Sequence, residues 1–181
     1  MKFEANVGGI EGLCVFEPAV YKDERGYFME SYNKEMFDYF TDKDITFVQD
    51  NESFSTYGVL RGLHFQSRHP QGKLVRVIEG EVFDVAVDIR KGSPTFGEWY
   101  GVYLSGDNKK QFWIPEGFAH GFLVLSDVAR FAYKCTDFYY HDEQCGLLWN
   151  DPAIGITWPH LTMSMNINDR DASWPELNKI G

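Results

Sequence analysis

Between residues 45 and 134 apolar and polar side chains alternate in short runs, among them GEVFDVAVDIR, EWYGVYLS and ARFAYKCTDFYY, separated by Gly, Pro, Asp and Asn clusters. A period of two marks half-buried strands, and the interrupting residues are those that turn a chain. Many short, evenly spaced strands predict a mainly β domain, a jelly roll or barrel, rather than a wound α/β sheet. One helix stands out, YNKEMFDYF over residues 32–40, with Ser31 available as its cap. No linker, repeat or low-complexity run divides the chain, so residues 1–181 are expected to form a single domain. From WPHLTMSM onward the pattern is irregular and predicts an appendage.

In GEVFDVAVDIR the alternation separates Phe83, Val85, Val87 and Ile89, an apolar core face, from Val82, Asp84, Ala86 and Asp88. Charged residues are rarely buried without partners, so the second face is expected to be solvated, with the wall of a polar pocket as its alternative. VLRGLHFQ raises the same question through Arg61 and His64. Gly62 between them predicts a bulge that turns both side chains to one side. HPQG then reads as a turn that returns the chain and sets Lys73 on the strand next to His64.

Composition narrows the class. The 181 residues are enough to bury a substantial core, and the 17% aromatic content suits strands and planar ligands alike. A formal net charge of −10 disfavours nucleic-acid binding, while leaving room for a local basic pocket that takes one phosphorylated ligand. Three cysteines, Cys14, Cys135 and Cys145, lack a CxxC spacing and suggest neither a disulfide framework nor a zinc ribbon. No secretion signal or membrane span is seen, and a cytoplasmic location is expected.

FWIPEGFAHGF carries Pro115, Gly117 and His120 in a Pro-x-Gly-x-x-His spacing that resembles the second motif of the cupin superfamily of jelly-roll barrels. In many cupins that histidine holds a metal. The first motif is incomplete here, with Phe65 and Gln66 following His64, so a metal gathered from His64, His120 and Glu79 or Glu81 is only the alternative reading.

DERGYFMESYN, FVQDN, VLRGLHFQ, KLVRVIEGEVFDVAVDIRKGSPTFGEW, WIPEGFAHGF and LWNDPAIGITWP occur in the order found in the dTDP-4-dehydrorhamnose 3,5-epimerases, and from about Ile10 to Asp169 the chain resembles that family. The resemblance implies a cupin-type jelly-roll β-barrel and epimerisation at carbons 3 and 5 of a dTDP-linked 4-keto-6-deoxy sugar, without cofactor or metal. It implies His64 as base with a carboxyl-terminal aspartate behind it, Lys73 beside the enolate and Tyr133 as the opposing acid. Arg25, Glu30, Gln49, Asn51, Arg61 and His120 would bind substrate. The family aspartate follows a lysine; in NDRD that match falls on Asp169, ahead of its neighbour Asp171, with Asn168 in the lysine's place. Gln144 stands where the family commonly has a glutamate, so a 3-epimerase or 5-epimerase of a related sugar is an alternative. The family is typically a homodimer whose amino-terminal strands join the partner's sheet.

The chemistry explains the residue types. Removing hydrogen beside a ketone leaves negative charge on the carbonyl oxygen, which a fixed cation stabilises in a dry pocket. A base near neutral pH favours histidine, and inversion needs a separate proton donor on the other face of the sugar. Paired arginines such as Arg25 and Arg61 suit a diphosphate.

Overall fold

The structure is a computed structural model that describes residues 1–180. In chain order its strands are β1 (Lys2–Ala5), β2 (Cys14–Glu17), β3 (Val20–Asp23), β4 (Gly26–Met29), β5 (Gln49–Thr56), β6 (Leu60–Gln66), β7 (Lys73–Glu79), β8 (Glu81–Asp88), β9 (Trp99–Ser105), β10 (Gln111–Ile114), β11 (Phe118–Val124), β12 (Val128–Cys135) and β13 (Gln144–Gly146). One sheet runs β1-β2-β10-β7-β12-β5, the other β13-β6-β11-β8-β9, and β3 with β4 forms a separate hairpin. Every pairing between strands is antiparallel.

The core between the two large sheets follows from the alternation. Val15, Val75, Val77, Phe112, Ile114 and Phe131 from the first sheet meet Val82, Ala86, Leu104, Phe118, Phe122 and Val124 from the second. Phe122 and Phe131 stack at 4.3 Å between ring centroids and close the apolar part of the interior. Outside the first sheet lies the helix α1 (Lys34–Thr41), which buries Phe37 against Phe16, Leu74 and Trp113. It begins two residues later than 32–40 implies: Asn33, not Ser31, is the cap and accepts the Met36 backbone N–H at 3.2 Å.

Two expectations are corrected here. The Val82–Asp88 face is not solvated: Asp84 and Asp88 are each 0% exposed, because this face lines the barrel interior. Phe83, Val85 and Val87 form the outer face of the second sheet, yet they too are buried, covered by Leu147 and Ile154 and, from the segment that begins at Trp158, by Trp158, Leu177 and Ile180. That segment, irregular as its sequence implies, is therefore a structural layer, and Leu161 extends it over Leu60 and Leu123. A strand buried on both faces carries more apolar surface than simple alternation shows.

His64 and Lys73 also lie differently from the expected neighbouring strands. β6 belongs to the second sheet and β7 to the first, so residues 67–72 carry the chain across the barrel rather than around a hairpin. The break expected at Gly62 is present as a register shift between β6 and β11, next to a cis Gly62–Leu63 peptide bond. Gly62 has φ +136°, and a β-carbon there would meet the Gly121 α-carbon at 2.5 Å. Only glycine permits so close a backbone approach at that φ.

Candidate active site

At one end of the barrel the apolar interior gives way to polar side chains. His64 and His120 are direct register partners on β6 and β11, which sets two imidazoles side by side on one wall. The Pro115–Gly117 turn, with Gly117 at φ +85°, joins β10 to β11 and places His120 inside the strand. On the facing sheet, Cys135 of β12 is in register with both Lys73 and Gln49, and Tyr133 with Asn51. Alternation then turns Tyr133, Lys73, Gln49 and Asn51 inward with Phe131.

His64 Nε2 lies 2.8 Å from Asp171 Oδ1, and the Asp171 side chain is 1% exposed. Its other oxygen accepts the Gly62 backbone N–H at 3.1 Å, while Trp174 Nε1 donates to Oδ1 at 3.3 Å. A carboxylate in that setting accepts only, so Nε2 carries the proton and Nδ1 is the basic nitrogen. These bonds hold the Asp171 carboxyl below the usual carboxylate range despite its burial. Burial lowers the His64 pKa, and the support of Asp171 only partly offsets it.

The expectation of Asp169 is thereby corrected. Asp169 is exposed, whereas the short turn Asp171–Ser173, capped by Asn168 Oδ1 on the Asp171 backbone N–H at 2.8 Å, directs Asp171 inward. The residue before the paired aspartate is then Arg170, so the cation read as lost at Asn168 is retained. Spacing within NDRD could not separate two aspartates with only Arg170 between them.

His120 Nε2 sits 3.0 Å from both oxygens of Asp84. Burial pushes the Asp84 carboxyl up, against the opposing pull of His120 and Lys73. Lys73 is shifted down by burial, which Cys135 and Asp84 counter only in part. The Tyr133 hydroxyl is pushed up to about 12, chiefly by burial. Across the pocket Arg61 Nε donates to Ser55 Oγ at 2.9 Å, and Gln49 Nε2 donates to Asn51 Oδ1 at 2.9 Å. Lys73 thus lies close enough to act electrostatically on His64 and Asp84, and Arg61 on Tyr133, with His120 beside His64 and with Asn51 and Gln49 beside Tyr133 and Cys135 by register.

Arg25 and Glu30 do not join them. Arg25 lies in the β3–β4 turn, paired with Asp23 at 2.5 Å, and Glu30 is exposed just after β4 and accepts from Asn33 Nδ2 at 3.3 Å. Glu79 and Glu81, the carboxylates of the metal alternative, are exposed on either side of Gly80 at the β7–β8 turn. Among the described residues no three His, Cys, Asp or Glu side chains gather as a metal site. The sequence reading missed Asp84 as the partner of His120; Gln144, read there as standing in a glutamate's place, accepts from Tyr139 Oη at 2.5 Å and Arg170 Nη1 at 3.0 Å through its Oε1. Asp84 was legible only as half of an alternation.

Comparison with known proteins agrees with this architecture. The family model for dTDP-4-dehydrorhamnose 3,5-epimerase matches residues 8–179. The dTDP-4-dehydrorhamnose 3,5-epimerase of Methanothermobacter thermautotrophicus is 54% identical over 171 residues, covering 94% of this chain and 92% of that one. The Shigella flexneri enzyme is 60% identical over 151 residues, 83% of each chain. A dTDP-6-deoxy-D-glucose-3,5-epimerase from Legionella pneumophila Philadelphia 1, solved in complex with dTDP-4-keto-L-rhamnose, superposes with a TM-score of 0.95 at 52% identity, over 99% of this chain and 95% of that one. With that match in sequence and cupin-like fold, the chain belongs to the dTDP-4-dehydrorhamnose 3,5-epimerase family and carries the isomerase activity for which the family is named.

Proposed function

We propose that the reaction runs between His64 on one sheet and Tyr133 on the other, with Lys73 beside the ketone. The observation that supports this reading is placement: the imidazole with a buried carboxylate behind it and the phenol project from opposite sheets into the same cavity end. His64 Nδ1 takes the proton from the carbon beside the ketone, and the electron pair moves onto the carbonyl oxygen. The Lys73 ammonium stabilises that oxygen in a water-poor site, where such a charge acts most strongly. Tyr133 Oη then gives its proton to the opposite face of the enolate, the ketone re-forms, and configuration is inverted. Solvent reprotonates the phenolate and removes the proton from His64. Since carbons 3 and 5 both flank the carbon 4 ketone, one apparatus serves both, and the net change moves no electrons to an acceptor.

Substrate on this reading is dTDP-4-dehydro-6-deoxy-D-glucose and product dTDP-4-dehydro-L-rhamnose. Arg61, Gln49, Asn51 and His120 bind it from within the barrel. Arg25 and Glu30, remote from their own chain's cavity, act in the site of a second copy in a homodimer. The exposed Tyr21, Tyr27 and Phe28 of the hairpin and the open edge of β5 support that assembly. The chain works as a single domain, and its free cysteines fit a reducing cytoplasm. Among the described residues no helix is long and apolar enough to cross a membrane.

Incubation with the keto sugar in heavy water is expected to place deuterium at carbons 3 and 5, and His64→Ala to stop both. Exchange at one carbon only would restrict the enzyme to a single epimerisation. Undiminished exchange in His64→Ala would remove the proposed base.

A further inference from the structure

Gln66 is 6% exposed at the end of β6, two residues beyond His64, and its amide is fully engaged. Nε2 donates to the His69 carbonyl at 2.6 Å and to the Phe138 carbonyl at 3.1 Å, and Oε1 accepts the Tyr140 backbone N–H at 2.7 Å. One side chain therefore holds two irregular segments, the crossing 67–72 and the aromatic run Phe138, Tyr139 and Tyr140. That run is tied to the candidate site through Gln49. The Tyr139 backbone N–H donates to Gln49 Oε1 at 3.0 Å, and the Tyr139 hydroxyl reaches Gln144. Gln66 and Lys73 also line one small cavity of about 30 Å³, so the clamp and the ammonium share a wall.

We infer that Gln66 is a positioning residue for ligand affinity: its amide fixes the Phe138–Tyr140 backbone, and with it the exposed aromatic rings at the rim, in the conformation that receives the planar base of a nucleotide-linked substrate. This inference rests on the proposed reading of the cavity as the substrate site. An irregular segment without strand partners has few backbone bonds of its own, so losing these leaves it to sample other conformations, and ordering it again on binding costs free energy. His64, Lys73 and Tyr133 sit on strands and keep their geometry, so the chemistry is not the step that suffers.

Gln66→Met keeps length and approximate volume but removes both donors and the acceptor. The expected result is a rise of roughly tenfold in KM and in the Kd of free dTDP, with kcat within about twofold of the parent, the pattern of lost binding rather than lost transition-state contact. Unchanged KM and Kd would overturn the inference, as would a fall in kcat at constant KM. Should the variant not fold, hydrogen exchange on the parent protein decides: the Tyr140 amide is expected to exchange slowly, and more slowly with dTDP bound, whereas rapid exchange in both states would overturn it. Absence of isotope exchange into sugar by the parent enzyme would instead defeat the reading of the cavity, so the two failures are separable.

Discussion

The pair His64–Asp171 concentrates most of what can be tested with single substitutions. Asp171 holds one tautomer of the imidazole and, on the proposed mechanism, stabilises its protonated form. Asp171→Asn is expected to lower kcat by about two to four orders of magnitude, while Asp169→Asn, altering an exposed side chain, stays within about twofold of the parent. Steady-state kinetics on the two variants would reverse the assignment if the larger loss fell at Asp169. His64 must be neutral to accept a proton, and burial places its pKa below the ordinary histidine value. Activity is therefore expected to persist below pH 6.5, the unshifted value, and to fall only as pH drops through the lowered one. A kcat/KM profile with its acid limb above the ordinary histidine value would contradict this. At the other end of the scale the Tyr133 hydroxyl, pushed up to about 12, remains protonated at neutral pH and is available as the acid. With Tyr133→Phe, deuterium wash-in with retained configuration is expected to continue while inverted product falls, as read by NMR.

At the scale of elements, two backbone arrangements hold the site open. β6 and β11 approach so closely at Gly62 and Gly121 that a β-carbon has no room, and His64 follows two residues later. Gly62→Ala is expected to destabilise by about 2 kcal/mol or more through strain at positive φ and displacement of the neighbouring strand. Its urea midpoint would show this, and an unchanged midpoint would mean the approach is slack. Asp88, 0% exposed at the end of β8, accepts bonds from Arg90, Ser93 and Thr95 and ties down the connection to β9. Its carboxyl is held well below the ordinary carboxylate range by these partners, despite its burial. A depressed folded-state pKa stabilises the protein at pH values above the unfolded one and is lost as pH falls through the folded one. Asp88→Asn should therefore cost about 2 kcal/mol at neutral pH, with the gap to the parent closing in strong acid. A gap that stayed constant with pH would assign the loss to packing instead.

For the molecule as a whole, the carboxyl-terminal segment joins the outer face of the second sheet to the candidate site. It covers Leu63, Phe83 and Val85 on the outer face of the second sheet and, in the same stretch, returns Asp171 to His64. Leu177 is anchored there by its backbone N–H on Asp151 Oδ2 at 2.6 Å. Truncation after Asn168 is expected to abolish turnover and lower Tm together, and an active truncated chain would show that the dyad is dispensable. Association is a second property at this scale: light scattering is expected to report a homodimer, and Arg25→Ala to raise KM without altering the dimer.

The alternation by itself determined a mainly β domain, and the run at 32–40 one short helix, because burying every second residue on a pleated strand leaves a period of two that is local to the chain. The ordered motifs likewise pointed to His64, Lys73 and Tyr133, whose chemical types are dictated by proton transfer beside a ketone. Tertiary structure decided which aspartate reaches His64, that Asp84 and Asp88 are interior, that His64 and Lys73 face each other from different sheets, and that the irregular tail is a structural layer. Each of these depends on where a crossing or an irregular segment comes to rest, and that is set by contacts between residues far apart in the chain, such as Gly62 with Asp171, which a local pattern does not encode.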